Sequence, residues 1–523
     1  MKHHSKILTA TAIGSTVAIG AMQATSCTTN ACEERRPNVI FILMDDAGYG
    51  DFGCYGQTKI ETPNIDALAA RGIRFTDMYA GAPVSAPSRC TLLTGLHAGH
   101  AQIRSNDELT GRGDVWNLHK MYEDPTLEGQ APLEPATTTI ATVMQQSGYK
   151  TAMIGKWGLG GPLTESRPTD LGFDNFYGYM CQRAAQCYYP RYLYDATERV
   201  GLDNPPMNLG DRLDEGANPY DIASYAKFKG NEYSPDLIYN RVAEFVEQNR
   251  DNEFMLMWTT TIPHSALTAP DEWVEYYHKK FGDEEPVYKG KGYFPCRYPK
   301  ATYAAMISYF DYQVGKLVEH LKELGIYDNT IIFLTSDNGP THNAYTNTMW
   351  FDSAHPFRSD KGWTKRSLCE GGIRMPFIAA WGDRLTPSVS DHVGYFPDIM
   401  PTFCDIAGCE SPATDGISIY PLLTGKEQPA HEFLYWEFPP FRNKQGWLSV
   451  RMGRWKGLVR DVAAGSTDME LYDIVEDCRQ TSNVAAQHPD IVERMWQVIA
   501  KEHTPNSNPL FNLDITYPKS MTK

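Results

Sequence analysis

The chain has 523 residues, 42% of them hydrophobic and 21% charged, enough for one large core with a smaller one attached, and too long for a peptide or one-motif module. The composition is that of a water-facing globular protein and excludes a disordered chain or a bundle of membrane spans. Against 64 acidic residues stand 48 basic ones, a formal net charge of −16, which argues against nucleic acid or an anionic bilayer as the main partner.

Lys2 and Lys6 precede a small and apolar run from Ile7 to Met22, which predicts a secretory signal over residues 1–26. Ala24-Thr25-Ser26-Cys27 is similar to a bacterial lipoprotein cleavage site, although Ala24 stands where leucine is usual, so a lipid anchor at Cys27 and ordinary cleavage both stay open. The expectation is an exported protein, periplasmic or attached to the outer membrane of a Gram-negative bacterium. No later segment offers eighteen uninterrupted apolar residues, so no transmembrane span is expected. Of the 11 cysteines, Cys181 with Cys187 and Cys404 with Cys409 could close short disulfide loops or stay as buried thiols.

Asn38 to Met44 is a continuous apolar run, the pattern of a strand buried on both faces, and it stops at Asp45-Asp46. A helix comes next, with Thr62 as N-cap, Pro63 at its first position and Gly72 as its stop. Thr138 to Gln146 predicts a second helix, and Tyr149 to Ile154 a strand leading to Gly155-Lys156. Phe254 to Trp258 is another buried run and leads to His264. Tyr303 to Leu324 predicts an amphipathic helix stopped by Gly325. Thr330 to Thr335 then runs into Ser336-Asp337-Asn338-Gly339. Alternating strands and helices with crossover-length connections predict an α/β fold: a doubly wound, mostly parallel sheet with helices on both faces. Such sheets bind ligands beyond the carboxyl ends of their strands, where four runs here deliver Asp45, Asp46, Lys156, His264, Asp337 and Asn338.

Beyond about Asp391 the texture changes. Phe433 to Phe438, Gly446 to Met452, Trp455 to Arg460 and Leu471 to Asp473, with a turn at Met452-Gly453-Arg454 and a closing helix over Pro489 to Glu502, predict a smaller antiparallel-sheet subdomain. The division is then a larger α/β domain over 36–390 and a C-terminal subdomain over 391–523. Gln182 to Tyr233, rich in Tyr, Pro, Asn and Asp, reads as a long surface excursion that could line a glycan cleft.

Ser85-Ala86-Pro87-Ser88-Arg89-Cys90-Thr91-Leu92-Leu93-Thr94-Gly95 resembles the signature of the formylglycine-dependent sulfatases, with every fixed position matched. The resemblance extends over nearly the whole chain after the signal and implies an alkaline-phosphatase-like fold. It implies that Ser85 is the residue oxidised to formylglycine (3-oxoalanine), in the serine-type subset matured before export by a radical enzyme. It also implies calcium ligation by Asp45, Asp46, Asp337, Asn338 and the converted Ser85, and sulfate-binding or catalytic roles for Arg89, Lys156, His264 and Lys365. Lys365 is assigned by its spacing to the family-like block Glu370-Gly371-Gly372-Ile373-Arg374-Met375-Pro376.

The chemistry fits these residue types. A serine hydroxyl is a weak nucleophile, whereas a hydrated aldehyde supplies one hydroxyl to attack sulfur and a second whose deprotonation expels sulfate. Carboxylates with an amide oxygen suit Ca²⁺, with Mg²⁺ as runner-up. Lys156, Lys365 and Arg89 would neutralise the transferring sulfuryl group, and His264 or Lys365 could protonate the leaving alcohol.

One position departs from the family. Many members carry histidine two residues after the catalytic lysine, where this chain has Gly158; His97 and His100 are candidates to take over its part. For substrate, His100, Arg104, Asn106, Arg358, Asp360 and Trp363 lie near the motif blocks, and a tryptophan beside forked charged groups suits a sugar ring. The expected activity is O-sulfate removal from a glycan, with sulfated galactose or N-acetylgalactosamine preferred. Two rivals are a phosphomonoesterase or phosphodiesterase of the same superfamily, and a sulfated-glycan-binding protein on an impaired catalytic scaffold.

Overall fold

Every residue of β1 (Asn38–Met44) is buried, because its two faces serve two cores. Ile40, Ile42 and Met44 enter one apolar cluster; Val39, Phe41 and Leu43 enter another. The computed structural model describes residues 35–289, 292–440 and 445–521. The expected signal and Cys27 lie outside the described residues.

In chain order the large sheet continues with β2 (Ile73–Tyr79), β3 (Lys150–Lys156), β4 (Asn175–Tyr179), β5 (Tyr192–Asp195), β6 (Glu198–Gly201), β7 (Phe254–Thr259), β8 (Thr330–Ser336), β9 (Arg374–Trp381) and β10 (Ser388–Tyr395). Its spatial order is β10-β2-β9-β8-β1-β7-β3-β4-β5-β6. The central strands β8, β1, β7, β3 and β4 are mutually parallel. β9 runs antiparallel between β8 and β2, and the hairpin β5–β6 ends the other edge. Helices cover both faces: Pro63–Arg71, Ser234–Gln248 and Pro299–Glu323 pack on the first cluster, and Ser85–Thr94, Ile140–Gln146 and Ile399–Ala407 on the second.

Local signals and tertiary partners share the work of shaping these elements. The helix after β1 begins at Pro63 and stops before Gly72, as its sequence predicts, yet Thr62 makes no side-chain cap. Asp311 supplies the cap from the long helix, accepting from Asn64 N at 3.2 Å and Ile65 N at 2.7 Å.

A second sheet of β11 (Leu434–Phe438), β12 (Trp447–Met452), β13 (Trp455–Arg460) and β14 (Met469–Asp473) is antiparallel throughout. Gly453, at φ +56°, turns β12 into β13 where a left-handed residue is needed. One face of this sheet packs under the helix Pro489–Glu502. The other meets Tyr79, Leu368, Ile373 and Tyr395. Fully buried Glu370 ties the two sheets together, its carboxylate 2.6 Å from Lys456 Nζ of β13 and 2.9 Å from Arg374 Nη1 of β9.

Two expectations change, and one open choice is decided. Residues 36–523 form one compact unit, and the boundary drawn after residue 390 falls inside β10, a strand of the large sheet. The stretch from Gln182 to Tyr233 is partly interior, with Arg183, Cys187 and Tyr188 buried and the β5–β6 hairpin extending the sheet edge. Cys181, Cys187, Cys404 and Cys409 are free thiols.

Candidate active site

Because β1, β3, β7 and β8 are parallel neighbours, their carboxyl ends open on one edge. Asp45 and Asp46 come directly after β1, Lys156 ends β3, His264 lies just past β7, and Asp337 and Asn338 come directly after β8. Ser85 is the first residue of a helix buried along its whole length. Its hydroxyl donates toward Asp45 Oδ1 at 3.3 Å and Asn338 Oδ1 at 3.5 Å, and receives Lys156 Nζ at 3.5 Å.

Each neighbour is held in turn. Lys156 Nζ donates to Asp45 Oδ2 at 2.6 Å. Lys365 Nζ reaches both oxygens of Asp46, at 2.6 and 2.8 Å. Thr341 also donates to Asp46, and Asn338 Nδ2 donates to Asp46 Oδ1 at 2.7 Å, which turns the Asn338 oxygen toward Ser85. Asp46 sits at φ +68°, a left-handed conformation that costs a non-glycine residue free energy and is held by these contacts.

Arg89 corrects one expectation. Its guanidinium is buried, with Nε and Nη2 on Asp337 Oδ2 at 3.1 and 2.9 Å and Nη1 on the carbonyl of Lys156 at 2.8 Å. It is absent from the cavity lining, and its donors are taken up in positioning Asp337 and Lys156.

Burial raises the Asp45 carboxyl, and Lys156, then His264, Arg89 and Lys365, more than reverse this, holding it below the usual carboxylate range. Asp46 is also lowered, because Lys365 and then His264 outweigh its burial. Asp337 is raised by burial and by the charge of Asp45, against the pull of Arg89. Burial lowers Lys156 although Asp45 opposes it, whereas Asp46 and Asp45 raise Lys365 against its burial. Burial lowers His264, which favours the neutral imidazole.

Three carboxylates and an amide oxygen gathered in a dry pocket form a hard-oxygen donor set that fits a divalent cation. Ligand-type atoms of Asp45, Asp46 and His264 lie within 4.8 Å of one another. The raised Asp337 reflects burial first and then the charge of Asp45 crowded beside it.

The site opens into a cavity of about 570 Å³. Ser85, Lys156, His264, Thr341, Lys365 and Arg366 line it together with Asn106, Glu108, Trp116, Gln182, Gln186 and Tyr293. Gln182, Gln186 and Leu209 come from the Tyr-rich stretch, in line with the expectation that it lines the cleft.

Five residues expected at the substrate lie elsewhere. His100 Nδ1 is 2.9 Å from Asp415, and Arg104 is buried against Glu437 at 2.6 Å and the carbonyl of Thr504 at 2.7 Å. Arg358 stacks on Trp363 with its guanidinium 3.8 Å from the ring centroid and pairs with Asp360 at 2.8 Å. None of the five lines the cavity; each is consumed by a packing partner. His97 and His100 also do not replace the histidine absent at Gly158. His97 Nδ1 accepts from Gly99 N at 3.1 Å, so its proton sits on Nε2, 3.2 Å from Glu502. That fixed tautomer also argues against a metal at the nearby grouping of His97, His100 and Glu502. Nothing in the sequence singles out Glu108, Trp116, Gln182, Gln186 or Tyr293 individually; the composition of the Gln182–Tyr233 stretch is the one signal pointing toward any of them.

Comparison with known proteins identifies the family. The family model described as Sulfatase matches residues 37–409, and that described as N-sulphoglucosamine sulphohydrolase, C-terminal, matches residues 359–504. The chain is 29% identical to arylsulfatase A of Homo sapiens over 473 residues, 88% of this chain and 81% of that one. It is 26% identical over 533 residues to an N-acetylgalactosamine-6-O-sulfatase of Bacteroides thetaiotaomicron, 91% of this chain and 94% of that one. The crystal structure of Ps i-CgsB in complex with k-i-k-neocarrahexaose superposes with a TM-score of 0.68 at 23% identity, covering 93% of this chain and 96% of that one, a likeness of fold.

Proposed function

As this chain belongs to the sulfatase family of the alkaline-phosphatase superfamily, whose members hydrolyse sulfate esters, we propose that it removes O-sulfate from a galactose or N-acetylgalactosamine unit of a sulfated glycan. In this reading a radical maturase converts Ser85 to formylglycine before export, and Asp45, Asp46, Asp337 and Asn338 hold a calcium ion, with Mg²⁺ second. The secretory pattern of residues 1–26 supports a periplasmic or outer-membrane setting. The observation that carries the reading is Ser85 at a cavity floor, within 3.5 Å of a carboxylate, an amide oxygen and a buried ammonium. The relative named for N-acetylgalactosamine 6-sulfate supports the sugar class.

When present, the hydrated formylglycine supplies a nucleophilic hydroxyl and the cation makes it more acidic. This chain's own residues do the rest. Lys156 and Lys365, both lining the cavity, bind the sulfate oxygens and stabilise their growing charge where water is excluded. Arg89 holds Asp337 and Lys156 in place through its three hydrogen bonds. Lys365, kept cationic by Asp46 and Asp45 against its burial, donates a proton to the leaving sugar oxygen, while His264, whose Nδ1 faces the Ser265 carbonyl, lines the cavity with Nε2 3.6 Å from Asp46.

A phosphoesterase of the same superfamily is the rival. Lys156 Nζ stands 2.6 Å from Asp45 Oδ2, on a carboxylate oxygen that a second metal would need, which favours the sulfatase. The test is sulfate and phosphate release from matched sugar esters by protein co-produced with the maturase, beside Ser85→Ala. Sulfate release that the substitution and chelation abolish is expected. Phosphate release by unconverted, zinc-loaded protein would overturn the reading.

A further inference from the structure

The stretch of cavity lining that carries Glu108 and Gln182 has its polar atoms fixed by their partners. Gln182 Nε2 donates to Glu108 Oε1 at 2.8 Å, so the Gln182 oxygen points away from the carboxylate, and it is buried without a hydrogen-bond partner. Gln130 Oε1 accepts the Gln182 backbone N–H at 3.3 Å, which leaves the Gln130 amide nitrogen buried and unpaired as well. Both unpaired atoms border Gly158, where a Cβ would meet Gln182 Oε1 at 3.6 Å and Gln130 Nε2 at 3.9 Å. The missing histidine has therefore left a place framed by one acceptor and one donor.

Glu108 is just as firmly set. Its carboxylate pairs with Arg183, whose guanidinium is fully buried and also bonded to the carbonyls of Val115, Leu127 and Gly129. Arg183 lies behind the wall, while Glu108 and Gln182 line the cavity. Among the described lining residues Glu108 is the one carboxylate. Trp116 also lines the cavity, its ring centroid 5.8 Å from the Arg183 guanidinium, an aromatic surface of the kind that packs on a sugar.

Resting on the sulfatase reading, we infer that the Glu108–Gln182 wall selects a sugar with a single sulfate and free hydroxyls on its far side. Those hydroxyls donate to the carboxylate and to the Gln182 oxygen, which no sulfate oxygen can do. A second sulfate or a uronate carboxylate turned to this wall would meet Glu108 with its counter-charge hidden behind it, the like-charge juxtaposition by which sites reject wrong partners.

The test titrates Ser85→Ala protein with galactose and N-acetylgalactosamine carrying one sulfate or two, and repeats the comparison as kcat/KM for sulfate release by converted enzyme. The singly sulfated sugar is expected to bind at least about tenfold more tightly, with a matching kcat/KM ratio. Gln182→Leu keeps the Glu108–Arg183 pair and should weaken the singly sulfated sugar about tenfold with the thermal midpoint little changed. Glu108→Gln, where it folds, should bring the ratio within about threefold of one. Equal or better use of the doubly sulfated sugar by the parent enzyme overturns the inference and leaves the sulfatase reading standing. Absence of sulfate release from every ester by fully converted protein would count against that reading instead.

Discussion

Replacing Lys156 with methionine keeps the aliphatic stem and removes one charge from beside the reacting atoms. The ammonium is 3.5 Å from Ser85 Oγ, and the side chain is 2% exposed. At an effective dielectric of about 20, a unit charge at that distance is worth roughly 5 kcal/mol against a full opposing charge. The transition state develops only part of that charge, so about half, roughly 2–3 kcal/mol, should appear as lost stabilisation. That corresponds to about 10²-fold in kcat. The assay is sulfate release at saturating substrate, on protein whose Ser85 conversion is verified by a mass lower by two hydrogens. Because Asp45 loses its closest counter-charge, the thermal midpoint should fall too, and activity is read well below it. A kcat within about fivefold of the parent, at full conversion, would refute the role given to Lys156, as would a loss confined to KM.

The same contacts set four further outcomes. Chelation should abolish sulfate release, with calcium restoring it better than magnesium; equal recovery with zinc alone would contradict the oxygen donor set. Glu370→Gln should cost about 3 kcal/mol at neutral pH, because Lys456, then Arg374 and Arg451, outweigh burial and hold the Glu370 carboxyl at about 2. Its folded pKa lies below the ordinary 4.5, so this stability is present above about pH 4.5 and lost as pH falls toward 2; urea midpoints of parent and variant that stay parallel across that range would disprove the linkage. Gly158→Ala should lose about 1–2 kcal/mol through its φ of +86° while keeping kcat, since the nearest contact of a methyl is an ordinary 3.6 Å; urea unfolding and sulfate release read the two effects. His100→Ala should leave kcat/KM within about twofold and lower the thermal midpoint, whereas a large loss of kcat/KM with unchanged stability would return His100 to the substrate site.

The sheet and its catalytic edge were legible because both depend on local sequence. A run such as Val39-Ile40-Phe41-Ile42-Leu43 has one comfortable home, a strand covered on both sides. Residues placed just after a parallel strand must then appear at the carboxyl edge, so Asp45, Lys156, His264 and Asp337 could be brought together before any contact was known. The family-like signature around Ser85 added the residue proposed here as precursor of the nucleophile. The substrate wall was not legible, for a reason visible in Arg104. A forked cation 19 residues past Ser85 suggests an anion to bind, but its anion is Glu437, 333 residues away in the second sheet. A charged residue in a sequence announces that it needs a partner without saying which. Arg358 and Trp363 show the same limit at short range, since they satisfy each other.

Glu108 and Gln182 present the converse case. In sequence each is an ordinary polar residue, and what makes them a recognition surface is the buried Arg183 behind one and the glycine beside the other. The departure at Gly158 could be read as the loss of a base from the sequence alone. Its physical consequence, a buried acceptor and a buried donor left unpaired at the cavity margin, depends on Gln130 and Gln182 being turned by partners that the fold brings from elsewhere. Unpaired buried polar atoms cost stability unless something completes them. A wall whose amides are locked in place before substrate arrives therefore trades stability of the free protein for selectivity, and that exchange is measurable. Gln182→Leu removes the unpaired oxygen but also the amide that donates to Glu108, so the two effects offset and the free protein should stay within about 1 kcal/mol of the parent, while the Ser85→Ala background carrying it loses affinity for the singly sulfated sugar.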